Sequence, residues 1–126
     1  LVKEGSDVTI IANGLMVAEA IEAGKELQAA GIDAEIINMA TIKPLDAQLV
    51  VASARKTGKV ITVEEHNIIG GLGEAVCAAL STECPVPVKR IGINDEFGHS
   101  GPAKDLLKQF GLSAENIVKV TKEFVK

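Results

Sequence analysis

Hydrophobic positions along the chain switch repeatedly between two periods. Val8–Ala12 (VTIIA) is a short apolar run stopped by Asn13-Gly14, which suits a buried strand. The pattern then turns helical: Val17, Ala20, Ile21, Gly24 and Leu27 form one stripe, with Glu19, Glu22 and Glu26 opposite. Gly31 is placed to end that helix as its C′ cap. Ala34–Met39 (AEIINM) predicts the next strand. After Pro44, Asp46 is positioned to cap a helix running to about Lys56. Arg55 and Lys56 fall in its last turn, where cations favour the helix dipole, just before Gly58.

Val60–Glu64 (VITVE) predicts a third strand and Val88–Ile91 (VKRI) a fourth. Between them Leu72, Ala75, Val76, Ala79 and Leu80 make an apolar stripe, with Glu74 and Ser81 opposite, so a helix starts near Gly71. Pro102 suits the first turn of a helix over Ala103–Phe110, stopped by Gly111. Ser113 is set to cap a last helix carrying Ile117, Thr121 and Phe124 on one side. Strands alternating with helices over short connections predict a three-layer α/β/α fold, a parallel sheet with helices on both faces. Repeats, low-complexity stretches and linkers are absent, so residues 1–126 read as one domain.

Composition changes this picture little. The apolar content is 47% and mean hydropathy +0.25, enough for a sizeable core, and with three Phe and no Trp or Tyr that core is aliphatic. Net charge is −4, with 13 basic residues dispersed among 17 acidic ones, which argues against a nucleic-acid partner. No apolar run approaches the roughly 20 residues of a membrane span, so no membrane partner is expected. Cys77 and Cys84, seven apart, lack zinc-site spacing and fit a reduced, cytoplasmic setting. The chain begins at Leu1 rather than Met, as a processed terminus or an excised piece of a longer polypeptide would.

Residues 64–76 (EEHNIIGGLGEAV) concentrate the candidate chemistry. From Gly71 the sequence G-L-G-E-A-V puts Val76 where a dinucleotide fingerprint needs a small residue, and no Gly-Lys-Ser/Thr follows to make a P-loop. A helix N-terminus there still offers amides to an anion. Glu64, Glu65 and His66 suggest acid/base work, but three consecutive strand residues alternate in direction and cannot all face one substrate. The plainer reading makes them polar caps, loop hydrogen bonds or an inter-domain contact. Asn94–Gly101 is the second polar concentration. His66 and His99 with Asp95 or Glu96 are a weak metal set, and Ser100 is better explained as a helix cap. Cys84, before Pro85, has no evident base to make it a nucleophile.

Five segments in order carry a resemblance: Asp7–Gly14 (DVTIIANG), Thr41–Asp46 (TIKPLD), Thr62–His66 (TVEEH), Gly70–Gly73 (GGLG) and Phe97–Gly101 (FGHSG). Together they resemble the C-terminal domain of transketolase and its thiamine-diphosphate relatives, over essentially the whole chain. The Glu-Glu-His and Gly-Gly-Leu-Gly pieces are shared with 1-deoxyxylulose-5-phosphate synthase and 2-oxoacid dehydrogenase β-subunits. Phe97–Gly101 and Phe110–Val118 look more like transketolase, especially the type split over two polypeptides.

The resemblance implies a homodimeric enzyme of three α/β domains that moves a ketol group between sugar phosphates. Thiamine diphosphate and magnesium are held by the other domains or subunit, the partners of this one, and not by this domain alone. It therefore implies no catalytic, cofactor or metal residue here. For Glu65, His66, Asn67, Gly70, Gly71 and Gly73, with His99 and Ser100, it leaves an interface or loop role. It also implies about five strands with the first antiparallel, of which only Leu1–Glu4 remain. A stand-alone interaction module and a small nucleotide-binding domain are the competing readings.

Overall fold

The computed structural model describes residues 1–14, 16–39, 47–67, 72–93 and 114–125, and of 65–67 and 92–93 the backbone only. Four strands, β1 (Val8–Ala12), β2 (Ala34–Asn38), β3 (Val60–Asn67) and β4 (Val88–Ile93), form one parallel sheet in the order β2-β1-β3-β4. Helices α1 (Met16–Ala29), α2 (Ala47–Thr57), α3 (Leu72–Glu83) and α4 (Ala114–Phe124) flank it. The expected helix over 103–110 and the caps Asp46, Ser100 and Ser113 lie outside the described residues.

Alternation along β1 splits the core in two, as a strand buried on both faces requires. Val8, Ile10 and Ala12 join Met16, Ala20, Leu27 and Ile117 under α1 and α4. Ile11 joins Val50, Ala54, Leu72, Val76 and Leu80 under α2 and α3. Gly31 ends α1 as expected. Its φ is 85°, its amide donates to the Gln28 carbonyl (3.1 Å), and the Ile32 amide reaches back to Leu27 (2.9 Å), the bonding of a Schellman cap.

The antiparallel first strand is reduced to one bridge, Lys3 with Ile36, so the described residues hold four strands rather than about five. The bridge still covers the outer edge of β2. The Lys3 amide donates to the Ile36 carbonyl (3.2 Å) and the Ile36 amide to the Lys3 carbonyl (2.9 Å), so neither Ile36 group is left unpaired on the edge. Beyond the bridge the chain passes close to β2 at Gly5, whose Cβ position would lie 2.4 Å from the Ala34 carbonyl carbon and admits no side chain.

Two polar sets lie under α2. The Thr9 hydroxyl bonds those of Ser53 (2.6 Å) and Thr57 (2.7 Å), which satisfies it inside the sheet. Beside them Glu35, 2% exposed, accepts from the Gly5 amide (3.1 Å) and from Lys56. Burial is the largest influence on Glu35 and pushes its pKa up. Hydrogen bonds from Lys56, Ser53 and Gly5, with the Lys56 charge, outweigh it and hold the carboxyl below its ordinary 4.5. The Glu35 bond in turn raises Lys56 above 10.5.

The signs define a pH window. A lowered carboxyl pKa gives stability that is whole above the ordinary value near 4.5 and is lost as pH falls through the lower folded value. The Lys56 contribution is whole below 10.5 and is lost as pH rises through its raised value. Acidification below pH 4.5 is therefore expected to loosen the N-terminal segment early, read as faster amide exchange at Gly5 than at Ile10. Glu35→Gln should flatten that acid step at Gly5; identical profiles in both proteins would contradict the assignment.

Candidate functional site

The direction of chain progression across the sheet reverses between β1 and β3, since β1 leads to β2 on one side and β2 returns to β3 on the other. In open parallel sheets the strand C-ends at such a reversal line the usual ligand crevice. Ala12 pairs with Val63 across this point, which places Asn13 and Glu64 at its mouth. The Asn13 side-chain oxygen is buried there with no hydrogen-bond partner among the described residues.

Glu64 is 1% exposed, and its carboxylate turns under α3. Oε1 accepts from the Leu72 amide (3.0 Å) and Oε2 from the Gly73 amide (2.7 Å). Both oxygens thus bond the first two amides of α3, where the helix dipole also favours negative charge. This has two consequences. The carboxylate is engaged in holding the fold rather than facing a substrate, so the plainer reading of Glu64 as a polar cap holds. An exogenous anion at the Leu72 and Gly73 amides would have to displace an internal one.

The Glu64–Asn67 segment is irregular. Val63 pairs with Ile91 and Asn67 with Ile93, so β3 advances four residues while β4 advances two. The strand runs three residues beyond the expected end at Glu64, because backbone pairing continues after the apolar pattern stops.

Gly73, the second residue of α3, sits where helix and strand approach closely. A Cβ there would come 2.4 Å from Arg90 Cδ and 3.1 Å from the Thr62 hydroxyl. Of the other expected site residues, Glu65, His66 and Asn67 lie on the bulged end of β3, with only their backbone described. Gly70, Gly71, His99 and Ser100 lie outside the described residues, as do Asp95 and Glu96 of the weak metal set. Among the described residues no three His, Cys, Asp or Glu side chains converge on one point, and no helix is long and apolar enough to cross a membrane. Cys77 and Cys84 are free and partly exposed.

The sequence reading passed over Glu35. A carboxylate inside the otherwise apolar AEII run was the available signal, since a charge in a buried strand requires partners.

Comparison with known proteins agrees with the geometry. Residues 1–117 match the family described as transketolase, C-terminal domain. The chain is 49% identical over 123 residues to the 6-deoxy-6-sulfo-D-fructose transketolase subunit of Clostridium sp. (strain MSTE9), covering 98% of this chain and 38% of that protein. It is 44% identical over 124 residues to 1-deoxy-D-xylulose-5-phosphate synthase of Heliobacterium modesticaldum, covering 98% and 19%. The solved structure of a split gene transketolase, an inactive beta4 tetramer, matches with a TM-score of 0.92 at 51% identity, over 98% of this chain and 40% of that one. The chain spans two fifths or less of the length of each of these relatives. A family match over nearly all its length, on a parallel sheet of the expected kind, places the chain in the transketolase family as a C-terminal domain.

Proposed function

We propose that this chain is the single C-terminal domain of a longer or split transketolase, in which it supports assembly rather than chemistry. The observation that carries this reading is the Glu64 carboxylate, the best-placed acid at the switch point, held by the amides of Leu72 and Gly73. The whole enzyme transfers a two-carbon ketol group between sugar phosphates, in the cytoplasm and within pentose phosphate metabolism, as a homodimer. Its thiamine diphosphate and magnesium belong to the thiamine-binding domains or subunit. What supports this is that the Leu72 and Gly73 amides at the start of α3, which a phosphate could use, already hold Glu64. The interface role falls to Glu65, His66, Asn67 and Gly73, with Gly70, Gly71, His99 and Ser100. The match to 1-deoxy-D-xylulose-5-phosphate synthase favours a second reading, the same domain role in that related enzyme.

The test is complementation. The thiamine-binding part is expressed with and without residues 1–126 supplied in trans, and ketol transfer from a ketose phosphate is followed. The expected outcome is turnover or dimerisation only with the added chain, and none from the chain alone with thiamine diphosphate and magnesium. A thiamine-binding part that works unaided would count against an assembly role.

A further inference from the structure

Strands at the edge of a sheet present unpaired amides and carbonyls, and so invite pairing with another chain. The outer edge of β2 is closed by an arm of its own chain, Leu1–Gly5, and the closure is mostly polar. The Val2 and Lys3 amides donate to the Ile36 carbonyl (2.8 and 3.2 Å), and the Ile36 amide donates to the Lys3 carbonyl (2.9 Å). Lys3 Nζ reaches Asp33 Oδ1 (3.1 Å) and the Ala34 carbonyl (3.0 Å). The buried Glu35 carboxylate accepts from the Gly5 amide and is itself held by Lys56 of α2. Leu1 and Val2, by contrast, remain 56% and 44% exposed, so little apolar burial fastens the arm.

The edge is also selective. Gly5 passes so close to β2 that a Cβ would stand 2.4 Å from the Ala34 carbonyl carbon and 2.5 Å from the Glu35 amide nitrogen. A fitting strand therefore needs a glycine there and, two residues earlier, a cation to meet Asp33 and the Ala34 carbonyl. Lys3-Glu4-Gly5 supplies both, and each copy of the chain carries it. The link from the arm to β1 is short. Residues 5–7 step over the start of β2, where the Ser6 and Asp7 amides bond the Asp33 carbonyl (3.1 and 2.9 Å). Short hinges of this kind favour exchange of an element between copies over closure within one.

We propose that the outer edge of β2 is an interaction surface for a second copy of this chain, whose Leu1–Gly5 arm replaces the resident one. Chemistry sets the occupant. The acidic Asp33 and Glu35 and the lack of room for a Cβ match Lys3 and Gly5, whereas an arbitrary extended segment would collide with backbone. Exchange makes the same bonds between copies that the resident arm makes within one. The latch therefore governs how fast arms exchange, and the strain of the short hinge governs how many remain exchanged. The proposal is independent of which enzyme the domain serves.

The experiment holds the full-length chain that carries residues 1–126 at about 1 mM, near the effective concentration of a short tether, and follows its mass by sedimentation. A species of twice the starting mass should form slowly and persist on dilution. Lys3→Ala, an edge change that spares the core, should speed its appearance about tenfold, the scale of one charge-assisted bond. The final amount should not change, because the lost bonds are common to both arrangements. Gly5→Ala should abolish the species, since its Cβ fits neither edge. Lengthening the hinge by glycines inserted between Ser6 and Asp7 should reduce it at least tenfold, and does so without altering the arm or the edge.

A chain that never forms the larger species at this concentration would overturn the proposal. So would a larger species that is insensitive to Gly5→Ala and to the longer hinge, which would place the contact on another surface. An unchanged rate in Lys3→Ala would show that the arm does not have to leave its edge first, and would overturn it equally.

Discussion

Glu64→Ala is expected to destabilise the domain by about 3 kcal/mol, because it leaves the buried amides of Leu72 and Gly73 without acceptors and uncaps α3. Each orphaned buried donor costs roughly 1–3 kcal/mol, so the two together cost about 2–6 kcal/mol. A total near 3 kcal/mol is therefore at the lower end of what these terms allow. For a domain of this size it corresponds to a fall in Tm of about 10 °C. Amide exchange gives the sharper check: Leu72 and Gly73 should lose protection first, ahead of Val76 and Leu80 deeper in the helix. A variant within about 0.5 kcal/mol of the wild type, the range of an ordinary surface change, would mean that the carboxylate does not hold these amides.

The second large effect concerns α1 on β2. Ile36 is 1% exposed, and the tip of its side chain lies 2.5 Å from where a Cβ on Gly24 would stand. Ile36→Ala should cost about 3 kcal/mol, since Gly24 has no side chain with which to fill the space. Gly24→Ala alone should be close to neutral. The helix gains about 1 kcal/mol from replacing glycine, and Ile36 loses a similar amount by leaving its rotamer.

Combined, the two changes should interact. With Ile36 truncated the collision disappears, the propensity gain remains, and the new methyl occupies part of the cavity. The double variant is expected to recover about 1–2 kcal/mol of the loss, a coupling measurable by a double-mutant cycle in urea. Strict additivity would show that helix and strand do not meet at this point.

Much of this architecture is written in local pattern. The VTIIA, AEII, VITV and VKRI runs and the stripes beginning at Val17, Leu72 and Ile117 announce their elements, because burial on one or two faces imposes a period that neighbouring residues display. Gly31 likewise announces its cap. The ordered motifs from Asp7 to Gly101 were enough for the family resemblance that the comparisons bear out.

Element ends and polar partners follow a different logic. β3 runs to Asn67 through residues with no apolar pattern, because its backbone finds Ile93 on a neighbouring strand. Glu64 reads as an acid in a glycine-rich run; its work is decided by amides eight and nine residues away. Glu35 looks like a misplaced charge until Gly5, 30 residues before it, and Lys56, 21 residues after it, close around it. Period and composition by themselves determined the layers, and the strands and helices found among the described residues. Only the tertiary structure decided which carboxylates are structural, where the sheet bulges and how its edge is covered, since each depends on contacts between segments whose separation in sequence carries no trace of their meeting.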